Sequence, residues 1–230
     1  MKRHSEMDSQ WQGELWLGSD YCLLSGTVGI TRSHAHYAHQ ILIAAEGEVQ
    51  ALIEGRWHRS RVLVIESGRE HAIVQAEQFA ITLYAEPLAF ELQTLYQCCL
   101  AAGPHLAHLV AHIEALPRRT LDPRLVKALE RIRAVDDDAL PADLLASAAS
   151  LSVSQLERLF GASLGISVRR LVLWQRLRQA LKLALQGSSL TEAALAAGFA
   201  DSAHFSRSMR RQFGVRADQT LSNLRVRVLG

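Results

Sequence analysis

Residues 189–215 read SLTEAALAAGFADSAHFSRSMRRQFGV. This stretch divides into two short helices around a tight turn. Thr191 is the candidate N-cap, its hydroxyl placed to take a free backbone N–H of the first turn. Ala193, Ala194 and Ala197 are small enough for another helix to cross closely. Gly198 stands where a helix ends in the left-handed conformation that glycine adopts cheaply. Phe199 plugs the turn, and Asp201 caps a second helix over 202–213. Phe205, Met209 and Phe213 recur at i, i+4 and i+8, the buried stripe of that helix. His204, Arg207, Arg210 and Arg211 fall off the stripe. A capped cationic helix crossing a small-residue helix is the design of a helix-turn-helix that enters the DNA major groove.

Moving N-terminally, the pattern recurs. Residues 141–149 predict a first helix, 150–152 a turn and 153–163 a second helix. Ser152 is the cap, Leu156, Leu159 and Phe160 face inward, and Arg158 faces out. Gly165 closes this copy as Gly214 closes the later one. Between the copies, 167–186 predicts one linker helix. At 1.5 Å per residue its 20 positions span about 30 Å. Major-groove faces one turn apart on one side of B-DNA are separated by about 34 Å. Asp122-Pro123 starts a further helix with an acidic cap and Pro in its first turn, and Asp136–Asp138 follows as a solvated acidic loop.

The first half has a different rhythm. Short runs rich in Val, Ile and Leu recur at 21–25, 41–44, 49–53, 62–65, 72–74 and 79–84, many separated by glycine. Strands this short and closely spaced predict a small antiparallel barrel or sandwich. Glu54-Gly55 predicts a hairpin turn. Pro87 ends the β region. Helices over 88–102 and 104–116 follow, broken at Gly103-Pro104 and stopped by Pro117. Their apolar stripes suit packing on the barrel or a homodimer contact. The predicted fold class is therefore α+β. It comprises a barrel over 1–87, a helical linker and dimerisation region over 88–121, and an all-α domain over 122–230.

Charge separates the halves further. The net formal charge is +2, but residues 1–117 hold 7 Lys/Arg against 13 Asp/Glu, and residues 118–230 hold 18 against 10. Only the basic half suits a polyanion. Nine of the ten histidines lie in the acidic half. Cys22, Cys98 and Cys99 show neither a disulfide framework nor zinc spacing, which fits a reducing cytoplasm. No apolar run approaches the ~20 residues of a membrane helix, and the polar start MKRHSEMDSQ does not read as a signal peptide. No Ser/His/Asp arrangement, phosphate loop or nucleotide fingerprint is present, so the expectation is a non-enzyme.

The two helix-turn-helix copies, the linker helix and the words Ala197-Gly198-Phe199, Asp201, His204-Phe205, Arg207 and Phe213-Gly214-Val215 resemble the AraC/XylS-type transcription regulators. The resemblance covers about residues 122–221. It implies double-stranded DNA as the partner, with RNA polymerase as a further one. It also implies base-facing residues at Ser154, Glu157 and Arg158 in the first recognition helix and at Ser202, Ala203, His204 and Arg207 in the second. Arginine can read guanine by a two-pronged bond, and glutamate can accept from cytosine N4. Where family members carry Pro soon after the final Gly-Val, this chain runs Arg216-Ala217-Asp218, which departs from the family pattern for a C-terminal helix.

The front half resembles the cupin-type sensor barrel often joined to such a module, on His34-Ala35-His36, Gln40, Gly47, Gly68 and His71. The resemblance implies an effector site at His34, His36, Gln40 and His71, for a small molecule or a metal. His34, His36 and His71 would be the metal ligands, with Gln40 in the position of the usual acid. Three imidazoles suit a divalent transition metal such as Zn, Ni, Cu or Fe. His34 and His36, alternate on an expected strand, would leave one face. His39 would point the other way and His58 would lie in a turn. His105, His108 and His112 read as an ordinary polar helix face. The rival reading, a cupin-type metalloenzyme with an appended helical domain, explains the histidines but leaves the duplicated helix-turn-helix without a role.

Overall fold

The computed structural model describes residues 12–75, 78–133, 142–215, 217, 221 and 224–229. The start, the acidic loop at 136–138 and Pro141 lie outside them. Eight strands come first: β1 (Gln12–Leu17), β2 (Tyr21–Val28), β3 (His39–Ala44), β4 (Val49–Ile53), β5 (Arg56–Ser60), β6 (Val62–Ile65), β7 (His71–Ile73) and β8 (Gln78–Ala85). They form two sheets, ordered β6-β3-β8-β2-β1-β9 and β5-β4-β7. The last member of the first sheet is β9 (Leu224–Val228), which pairs in parallel with β1. Between Val215 and β9, the described residues Ala217 and Leu221 are helical despite the missing proline, and β9 then returns the chain to the first sheet.

Leu24, Leu42, Ala44, Val49, Ala51, Leu63 and Ile73 fill the space between the sheets. The β4–β5 turn is the hairpin expected at Glu54-Gly55: both residues have positive φ, 48° and 75°, as a two-residue turn matched to strand twist requires. The sequence RWHRS of β5 gave no apolar alternation, because this edge strand is almost wholly exposed. His58 therefore lies in a strand, opposite Ala51, and not in a turn.

Two helices, α1 (Leu92–Ala102) and α2 (Leu106–Ala115), cover the first sheet. The first starts later than residue 88 because the Glu86 carbonyl takes the N–H groups of Ala89 and Phe90 in a separate turn. The helical half follows as α3 (Pro123–Arg133), α4 (Ala142–Ala148), α5 (Val153–Leu164), α6 (Val168–Leu185), α7 (Leu190–Ala196) and α8 (Ser202–Phe213). Helix α6 is 18 residues, about 27 Å at 1.5 Å per residue. Its buried positions are Val168, Leu171, Trp174, Leu177 and Ala180. A three-residue step falls about 60° short of a full turn, so the buried stripe winds around the helix. The first three positions join the core shared with the barrel, α3 and α5. The last two join the core of α7 and α8. One helix thereby packs two modules on different sides.

Candidate effector site and recognition helices

Each recognition helix is built by its caps. Ser152 accepts from the Gln155 N–H, and the Gln155 side chain accepts from the Ser152 N–H, a reciprocal capping box that starts α5. Ser189 and Glu192 form the same box at α7. The expected cap at Thr191 is thus corrected: Ser189 precedes an acid by the required three residues, and Thr191 lies inside the helix. Asp201 caps α8 through the His204 N–H. Leu156, Phe160, Phe205 and Met209 are buried. Ser154, Arg158, Ala203 and Arg207 are exposed, and Glu157, Ser202 and His204 are half-buried. The His204 ring leans on Phe199, 5.2 Å between centroids.

The barrel brings His34, His36 and His71 together. One nitrogen from each lies within 4.8 Å of the others, and all three residues are buried. His34 and His36 do not lie on a regular strand as expected; they precede β3. His34 is instead fixed to β7: its N–H donates to the His71 carbonyl at 2.9 Å, and the His71 N–H returns a bond at 2.8 Å. Ring centroids are 4.2 Å apart for His34 and His71, and 4.9 Å for His36 and His71.

The tautomers follow from the backbone. Nδ1 of His34 meets the Arg32 carbonyl at 2.8 Å, Nδ1 of His36 meets Ala38 at 2.9 Å, and Nδ1 of His71 meets Arg69 at 2.8 Å. Each carbonyl requires an N–H, which leaves each Nε2 unprotonated. Burial, reinforced by the neighbouring rings, depresses the pKa values of His34 to about 4 and His36 to about 3. Burial lowers that of His71 as well. Gln40 stands 3.2 Å from His36 Nε2, and its other amide atom is 3.2 Å from the Tyr84 hydroxyl. The amide is placed with its oxygen toward His36 and its NH2 donating to the Tyr84 hydroxyl. With a neutral His36 bearing its proton on Nδ1, turning the amide over lets its NH2 donate to Nε2 and the Tyr84 hydroxyl donate to its oxygen. His71 Nε2 is buried without a partner. A backbone carbonyl on one nitrogen and an open lone pair on the other is how metal-binding imidazoles are oriented, so the donor set fits a transition metal.

His39 turns away and accepts from the Ser67 N–H at 3.1 Å. It lines a polar cavity of about 280 Å³ with His36, Gly68, Arg119, Leu164 and Gly165, under the end of α5. His105, His108 and His112 are exposed around α2.

Two features could not be read from the sequence. Buried Glu86, just after β8, accepts from Trp174 Nε1 at 3.1 Å, from Gln175 at 3.3 Å and from Arg178. This ties the sheet to α6 across 92 positions of sequence. Beside it, a mainly apolar cavity of about 440 Å³ opens between the sheet and the helical half. Leu15, Leu24, Tyr84, Trp174, Arg178 and Phe213 are among its walls. Among the described residues, no helix is long and apolar enough to cross a membrane.

Comparison with known proteins accords with this geometry. The family model that matches is a helix-turn-helix domain, over residues 145–223. No curated protein matches the chain. Among solved structures, apo ToxT from Vibrio cholerae, in a single-residue variant, aligns over 92% of this chain and 99% of its own at a TM-score of 0.59 and 9% identity. ToxT with an unsaturated fatty acid bound aligns over 86% and 94% at 0.55 and 10% identity. These two share the whole two-part fold. A transcriptional regulator of Chromobacterium violaceum, described as an AraC-type DNA-binding domain-containing protein, is 34% identical over 41% of this chain and 85% of its own, with a TM-score of 0.39. By that sequence identity across most of the relative's length, the chain belongs to the AraC-type DNA-binding transcription regulators, a family of non-enzymes.

Proposed function

We propose that this regulator reads duplex DNA with two recognition helices and is controlled by an effector at the histidine cluster of the barrel. Ser154, Glu157 and Arg158 on α5 face one major groove, and Ser202, Ala203, His204 and Arg207 on α8 face the next. The barrel over residues 1–87 senses, the segment 88–121 joins, and 122–230 binds DNA in the cytoplasm. A homodimer through α1 and α2, and RNA polymerase as a protein partner, belong to the same reading.

The effector chemistry we favour is a divalent transition metal on His34, His36 and His71, with Gln40 beside it. The observation that carries this is the fixed tautomer of all three rings, with one Nε2 buried and unpartnered. A bound ion would supply positive charge that neutral imidazoles hold and protonated ones reject. A second reading takes an amphipathic organic anion as effector. It is favoured by the apolar cavity beside Arg178 and by the fold shared with fatty-acid-bound ToxT.

Selecting duplexes from random DNA with the whole chain, freed of metal or loaded with Zn(II), tests the proposal. The expected result is one motif with two parts a helical turn apart, bound with an affinity that depends on zinc. Identical affinity with and without zinc, when zinc is taken up, would reject the metal as effector. Displacement of a fluorescent fatty acid from the same chain would favour the second reading.

A further inference from the structure

The histidine cluster has the end of a recognition helix as its roof. Gly214 closes α8 at φ 69°, in the left-handed region that favours glycine. A Cβ there would lie 2.6 Å from the Arg32 carbonyl oxygen and 2.8 Å from His34 Nδ1. The Arg32 N–H donates to the Gly214 carbonyl at 3.3 Å. One residue earlier, the Phe213 ring lies 5.8 Å from His36 and 5.7 Å from Tyr84. Two of the three imidazoles therefore meet the last turn of the helix that presents Ala203 and Arg207.

We propose that filling the histidine cluster is transmitted to DNA through this seat: His34 and His36 move Gly214 and Phe213, and these tilt α8. The proposal rests on the metal reading above. The three ligand nitrogens now lie within 4.8 Å of one another. A tetrahedral ion with nitrogens at 2.0–2.1 Å holds them about 3.3 Å apart, so filling sets the three rings at that one spacing. The His34 ring is held to the Arg32 carbonyl through Nδ1 at 2.8 Å, so a shift of the ring pulls on the backbone at Arg32. Arg32 is the residue whose N–H donates to the Gly214 carbonyl. Helix α8 has 12 residues, a lever of about 18 Å. A tilt of about 10° at its seat displaces the far end by roughly 3 Å, more than a hydrogen bond to a base edge tolerates. Because Phe205 and Met209 are buried in the core shared with α6 and α7, the tilt is carried by the second module as a body.

The test uses the whole chain, stripped of metal by chelation and titrated with Zn(II), or with Co(II) for its absorption spectrum. The expected result is one ion per chain and at least a fivefold change in affinity for a selected duplex, the low end of ordinary coupling between sites. His71→Ala should lose both ion uptake and the change. Gly214→Ala and Phe213→Leu keep every ligand. They should take up Co(II) with the wild-type spectrum yet lose most of the zinc-dependent change. Phe213→Leu conserves apolar character and serves where Gly214→Ala does not fold. An undiminished zinc response in a folded variant would overturn transmission through the seat and leave the metal reading standing. Failure of the wild-type chain to take up zinc or cobalt would remove the metal reading and the proposal with it.

Discussion

Three backbone carbonyls, those of Arg32, Ala38 and Arg69, decide the chemistry of the histidine cluster by claiming one N–H from each ring. The same burial that frees the lone pairs makes the rings resist protonation. In the metal-free folded chain, the values near 4 for His34 and near 3 for His36 lie below the ordinary 6.5 of an unfolded chain. Below about 6.5 the unfolded state binds protons that the folded state refuses, so stability is full above that pH and falls as pH drops toward 4. Urea midpoints of the metal-free chain should decline between pH 6.5 and 5, above the carboxylate range. A flat profile would contradict neutral burial. On the DNA side, Arg207 is exposed on the outer face of α8. Arg207→Ala should cost ~1–3 kcal/mol at one base pair and relax the preference there. Competition among single-base variants of the selected duplex measures this, and an equal loss on all of them would assign Arg207 to phosphate instead. The cluster was visible in the sequence as histidine spacing and a resemblance. Its contact with Gly214 was not, because nothing local joins position 34 to position 214.

Elements with strong local signals were legible, and those held by tertiary contacts were not. The recognition helices α5 and α8 matched their expected spans closely because caps, a 3.6-residue stripe and a closing glycine agree. Strand β5 escaped because an exposed edge needs no apolar alternation. Strand β9 escaped because its pairing partner, β1, lies at the far end of the chain. At α7 the signal was present and misread: Ser189-x-x-Glu192 is the stronger cap pattern, and Thr191 merely follows it. Ser189→Ala should therefore cost about 1 kcal/mol of stability, as should Ser152→Ala at α5. Thr191→Ala should stay within about 0.5 kcal/mol, the usual size of a surface change. Chemical denaturation of the three variants separates these outcomes. A larger loss at Thr191 than at Ser189 would restore the original assignment.

At the scale of the molecule, barrel and helices share one core running from Tyr21 in β2 to Trp174 in α6. The Glu86 carboxylate sits at the seam, 1% exposed on its side chain, paired with an Arg178 that keeps 21%. Glu86→Gln should destabilise the chain by roughly 2–3 kcal/mol, under the ~3–5 of a fully buried broken pair, because Arg178 retains some water. Replacing both partners by Leu should recover much of that loss, and a double variant no better than the single one would deny the pairing. The seam also fixes α6, the spacer between the recognition helices. Its 18 residues reach about 27 Å, shorter than the ~34 Å between successive major grooves. Helices α5 and α8 must span the rest as they project from its two sides. Hydroxyl-radical footprinting of the whole chain on its selected duplex tests this most directly. The expected result is two protected patches on one face of the DNA, about 10 base pairs apart, with one patch weakened on altering Arg158 and the other on altering Arg207. A single protected groove on the best duplex would contradict reading by two helices.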